Sequence, residues 1–106
     1  LMGRREFAAM KSDAIFINTC RGPVQNESEL IEALNAGEIM GAGLDVTEIE
    51  PTPLDTPLLQ MDNVVLTPHL AGSSQERVDR ALEFSFENAR RALNGETLQN
   101  PVEVLD

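Results

Sequence analysis

The sequence predicts an α/β fold: three mostly parallel strands with flanking helices, within a single small domain. Two observations predict it. Short apolar runs fall at residues 14–19, 42–46 and 63–67, too brief for typical helices and suited to buried strands. Stretches with helical spacing and cap residues stand before, between and after them, giving the order α, β, α, β, loop, β, α. Strands separated in this way need crossover connections, which produce a layered parallel sheet. Such sheets are normally covered on both faces, and with only three strands one edge is expected to lack its neighbour.

Each element has a local reason. Residues 3–10 read as a short helix with Phe7 and Met10 on one face, followed by turn chemistry at Lys11, Ser12 and Asp13. The first strand, 14–19, is broken by Arg21-Gly22-Pro23. Asn26 followed by Glu29 matches a capping box, and Leu30, Ile31 and Leu34 form a helical stripe that Gly37 stops. The second strand, 42–46, follows Gly41 and contains Gly43. Pro51, Pro53 and Pro57 make 47–62 mostly loop, with one helical turn at 57–61. Pro68 ends the third strand, 63–67. Ser73 with Glu76 predicts a second capping box, opening a helix that runs to about Leu93. Val78, Leu82, Phe86, Ala89 and Leu93 lie on one side of it, Gly95 ends it, and residues 99–106 form an extended tail.

Composition narrows the function classes. A chain of 106 residues is at most one small domain, and its 42% apolar content suits a globular protein. A net charge of −10, with no tryptophan or tyrosine, argues against a nucleic-acid partner. No apolar run approaches the roughly 20 residues that span a bilayer, so no membrane partner is expected. There is no basic-then-apolar leader, and the single Cys20 cannot form an internal disulfide, which together suggest a cytoplasmic setting. The chain opens on Leu1, as a piece of a longer protein would.

Ligands of open α/β sheets bind beyond the carboxyl ends of the strands. Arg21 follows the first strand, Asp45 closes the second with Glu50 in the loop beyond, and His69 follows the third. If the strands are parallel, all four gather on one rim. Each also has an ordinary explanation: a solvated arginine in a turn, a glutamate beside a proline, a histidine serving as a structural hydrogen-bonder. Asp45 is the most suggestive, since a carboxylate at the end of an apolar strand needs partners. Cys20 and His69 admit a nucleophile–base reading, but a small apolar residue closing the strand accounts for Cys20 better, since nothing marks it as activated. One histidine gives no metal-ligand spacing, and no Gly-x-Gly-x-x-Gly occurs.

Three motifs together resemble a known family. Ile17-Asn18-Thr19-Cys20-Arg21-Gly22 is similar to the arginine signature of the D-isomer-specific 2-hydroxyacid dehydrogenases. Gly43-Leu44-Asp45-Val46 with Glu50-Pro51 resembles their acidic motif, and Thr67-Pro68-His69-Leu70-Ala71-Gly72 their histidine motif. Met10-Lys11, Pro57-Leu58-Leu59 and Asn63-Val64 also match, and the order is the family's. Asn26 stands where an acidic residue is common, and Ser12-Asp13 replaces a frequent Pro-Gly.

The resemblance implies a partial Rossmann-like domain, with residues 1–95 as the C-terminal half of a dinucleotide-binding domain. Residues 96–106 would then be a tail leading toward a substrate domain outside the chain. It implies NAD or NADP as cofactor, a small 2-oxo or 2-hydroxy acid as substrate, and a homo-oligomer, a dimer, as the assembly. It assigns catalysis to Arg21, Glu50 and His69: Arg21 holds the substrate carboxylate, His69 delivers a proton to the keto oxygen, and Glu50 orients the imidazole. Thr19, Cys20, Arg21, Asp45, His69 and Gly72 would contact the cofactor, Asp45 through the nicotinamide carboxamide. The isolated chain is expected to be inactive, lacking the pyrophosphate site. The alternative is a non-catalytic, nucleotide-sensing corepressor-like relative.

Overall fold

The computed structural model describes residues 1–101, so the last five residues of the expected tail lie outside the described residues. The chain divides into two compact units, Leu1–Ala71 and the segment from Gly72 onward. The first unit carries helix α1 (Arg4–Ala8), strand β1 (Ile15–Asn18), helix α2 (Glu27–Asn35), strand β2 (Gly41–Leu44) and strand β3 (Val64–Leu66). Single turns of 3-10 helix occupy Gly22–Val24 and Pro57–Gln60. The second unit is built on helix α3 (Gln75–Leu93).

The three strands form one parallel sheet in the order β1-β2-β3, as the alternation of elements predicts. Register fixes which side chains share a face. Phe16 and Asn18 lie beside Ala42 and Leu44, which lie beside Val64 and Leu66. These residues face the core, where Phe7 of α1 meets Phe16 edge-to-face at 5.3 Å between ring centres, and Leu30 and Leu34 of α2 complete the packing. Ile39 and Leu58 are also fully buried there. The opposite face carries Ile15, Ile17 and Val65, which are 55%, 68% and 67% exposed.

Helix ends follow local chemistry, with two corrections. Asn26 caps α2 by accepting from the Glu29 amide at 3.1 Å. The reciprocal half of the capping box does not form, because the Glu29 carboxylate accepts the Arg4 amide at 2.7 Å instead. At the other end of α2, Gly37 takes φ +67°, and the amides of Gly37 and Glu38 bond back to Leu34 and Ala33, a Schellman closure that needs a left-handed residue. The cap of α3 is Ser74 rather than Ser73, its hydroxyl accepting from the Arg77 amide. Glu76 then falls one position short of a box partner. Strands β1 and β3 are two residues shorter than the apolar runs that predict them, whereas β2 begins one residue earlier, at Gly41, and ends two earlier, at Leu44, so Asp45 lies just past the strand. No described helix is long and apolar enough to cross a membrane.

Candidate active site

Parallel strands bring the ends of β1, β2 and β3 to one rim, and the rim is organised around Asp45. Its side chain is 5% exposed. One carboxylate oxygen accepts from the Thr67 hydroxyl and, at 2.8 Å, from the Leu70 amide; the other accepts from the Ala71 amide at 2.8 Å. The Asp45 carbonyl accepts from the His69 amide, also at 2.8 Å. The Thr67 hydroxyl foremost, then the Ala71 and Leu70 amides with the nearby His69, hold the Asp45 carboxyl below its usual value, against the opposing cost of burial. One aspartate thus ties down the whole 67–71 segment after β3.

That segment presents His69 in an uncommon backbone state, φ +55°, which costs energy for most side chains and is held only by surrounding contacts. The imidazole Nδ1 lies 3.0 Å from Glu50 Oε2, both groups about half exposed. The other Glu50 oxygen accepts from the Thr47 amide at 3.4 Å, steadying the carboxylate. The Glu50–Pro51 peptide is cis. Glu50, His69 and Asp45 share a cleft of about 540 Å³ with Pro51, Thr52 and Pro68.

A second cleft of about 400 Å³ opens beside the sheet, lined by Ile17, Gly43, Val65, Leu70 and Ala71 together with the polar Thr19, Asp45 and Thr67. Cys20 and Arg21 border neither cleft. Both are exposed, and the Arg21 guanidinium bends back on the Cys20 carbonyl at 2.6 Å. Gly72 opens the second unit beside the Arg77 guanidinium. The structure therefore joins Asp45, Glu50 and His69 directly, sets Thr19 in the neighbouring cleft, and leaves Arg21 on the adjacent strand end. Among the described residues, no cluster of side chains could hold a metal ion.

Three contributors escape a reading by residue type. Thr67 and the amides of Leu70 and Ala71 are found only through their bonds to Asp45. Asn18, 3% exposed, accepts from the Cys20 amide at 2.9 Å and donates to the Arg21 carbonyl at 2.9 Å and to Gln25 Oε1 at 3.0 Å. Its signal in the sequence is a lone amide closing an apolar strand, three residues before the arginine. Gly22 completes the turn: a β-carbon there would lie 2.0 Å from the Thr47 carbonyl oxygen, so only glycine allows this approach.

Residues 1–71 match the family described as D-isomer specific 2-hydroxyacid dehydrogenase, NAD binding domain. Glyoxylate/hydroxypyruvate reductase B of Enterobacter sp. (strain 638) is 50% identical over 102 residues, which cover 96% of this chain and 32% of that protein. A D-isomer specific 2-hydroxyacid dehydrogenase from Xanthobacter autotrophicus Py2, in complex with NADPH and MES, superposes with a TM-score of 0.83 at 46% identity, over 97% of this chain and 42% of that one. D-lactate dehydrogenase from Lactobacillus jensenii, with NAD+, gives a TM-score of 0.85 at 34% identity, over 96% and 34%. The chain spans about a third of the length of the curated relatives it matches. On this fold, these motifs and these matches, the chain belongs to the family of D-isomer specific 2-hydroxyacid dehydrogenase NAD binding domains.

Proposed function

We propose that this chain supplies the nicotinamide-side half of the cofactor domain of an NAD(P)-dependent dehydrogenase acting on small 2-oxo and 2-hydroxy acids. The observation that carries the reading is the 3.0 Å contact between His69 Nδ1 and Glu50 Oε2 on the carboxyl rim of a parallel sheet. Glyoxylate and hydroxypyruvate lead the candidate substrates because of the half-identity to reductase B.

The residues present fit one end of a dinucleotide. The cleft lined by Ile17, Val65 and Leu70 offers apolar walls for a flat heteroaromatic ring, and Thr19, Asp45 and Thr67 in the same lining offer polar groups for its carboxamide. Asp45 uses three of its roughly four acceptor positions internally, which leaves one for an amide hydrogen. No glycine-rich phosphate turn occurs, so this chain does not hold the pyrophosphate. When bound, the nicotinamide supplies or accepts the hydride at the substrate C2 carbon.

The chain's own residues do the rest. Glu50 accepts the Nδ1 hydrogen of His69, which fixes the tautomer and leaves Nε2 to exchange a proton with the C2 oxygen. Asp45 fixes the His69 loop so that the imidazole meets the substrate without a search. Arg21, a permanently charged planar fork, pairs with the substrate carboxylate once its guanidinium swings off the Cys20 carbonyl.

Assaying the full-length protein with NADH and NADPH against a panel of 2-oxo acids tests this. Failure to oxidise either cofactor with any of them would refute it. The chain alone should bind NAD weakly and turn nothing over; micromolar affinity in a calorimetric titration would show that the phosphate argument is wrong.

A further inference from the structure

We infer that Gln25 is a positioning residue that, acting through Asn18, sets the turn carrying Arg21. The inference rests on the reading of Arg21 as the carboxylate clamp. Gln25 is 2% exposed, and its Nε2 has no hydrogen-bond partner among the described residues. A buried donor without a partner is unfavourable, and an aliphatic side chain of similar size would avoid that penalty. What the amide contributes is its oxygen, which accepts from Asn18 Nδ2 at 3.0 Å.

That bond matters because Asn18 has no spare donor. One Nδ2 hydrogen goes to Gln25 and the other to the Arg21 carbonyl, while Oδ1 takes the Cys20 amide. Turning the Asn18 amide over would set NH₂ against the Cys20 N–H and oxygen against the Arg21 carbonyl oxygen, and would lose the present bond to Gln25 Oε1. Gln25 therefore helps to hold Asn18 in the one orientation that clasps the turn on both sides of Cys20. The 3-10 turn at Gly22–Val24 joins the two amides covalently, with the Gln25 amide donating to the Gly22 carbonyl at 3.1 Å.

The role separates from a purely structural one. Gln25→Leu removes the unpartnered donor together with the acceptor, so the unfolding midpoint should shift by no more than about 2 °C. The turn should nevertheless loosen. In the full-length protein, hydrogen exchange at the Cys20 amide should quicken by about tenfold, the scale of one net hydrogen bond. KM for the 2-oxo acid should rise by about the same factor, with kcat changing less. In an Asn18→Ala background, Gln25→Leu should add nothing further to exchange. Gln25→Met serves as a second variant should leucine's branch prevent folding. Unchanged exchange at Cys20, or an equal effect in the Asn18→Ala background, overturns the inference. If the wild type turns over no 2-oxo acid, the functional reading falls while the exchange measurement still decides this one.

Discussion

Gly22→Ala probes the link between backbone packing and the proposed chemistry most directly. An added β-carbon would meet the Thr47 carbonyl oxygen at 2.0 Å, its carbon at 2.4 Å and the Glu48 nitrogen at 2.7 Å. All three are backbone atoms and cannot rotate away. A tolerable carbon–oxygen approach is about 3.3 Å, so the 21–24 turn and the 47–48 segment must part by more than about 1 Å. Overpacking of this kind costs about 1–3 kcal/mol in stability. A misplacement near 1 Å at a substrate-positioning group costs about 10²-fold in rate. Denaturant unfolding and kcat/KM for the best 2-oxo acid, measured on the full-length protein, read both effects. Gly37→Ala is the control: among the described residues nothing lies within 4 Å of its added carbon, but φ +67° imposes about 1–2 kcal/mol of strain away from the rim. It should lower stability and leave kcat/KM untouched. If Gly22→Ala kept kcat/KM within threefold, or Gly37→Ala lost as much activity for the same loss of stability, the idea that the turn's position matters would be wrong.

Further outcomes are expected at the rim. His69→Ala removes the proton donor and should lower turnover by about 10²–10⁴-fold; near-native steady-state rates would end the assignment. Arg21→Lys keeps the charge but loses the fork, so kcat/KM should fall about tenfold or more, and an unchanged value would contradict the clamp. The lowered Asp45 value gives a pH test. Because its folded-state value lies below that of an ordinary aspartate, the carboxylate contributes its full stability above the ordinary value and loses it as pH falls through the folded-state value. Asp45→Asn should therefore be less stable than the wild type at pH 7, and the gap should close on acidification toward pH 3. Parallel urea curves across that range would refute the anchor.

Much of this architecture is legible in residue order. The apolar runs around Ile17, Leu44 and Val65 each contain one strand, and Asn26 and Gly37 bracket α2 because cap and stop chemistry are local. What escaped depends on neighbours distant in sequence. Glu29 abandons its box because α1 brings the Arg4 amide within reach, and nothing near residue 29 announces that. Ser73 and Ser74 offer the same hydroxyl, so composition does not choose between them. The rim residues are nameable because ligands bind beyond the carboxyl ends of parallel strands and because the motifs around Arg21, Asp45 and His69 resemble those of a known family. The latch from Asp45 to Leu70 and Ala71 is not, since its donors are backbone amides that every residue carries.

The left-handed backbone at His69 makes the choice of replacement part of the experiment. Asparagine and aspartate accept positive φ more readily than alanine, glutamine or any β-branched residue. An asparagine at 69 would preserve the bend while deleting the imidazole, whereas alanine disturbs both. The difference in rate between those two variants is then a measure of how much of catalysis belongs to the loop's shape and how much to its proton.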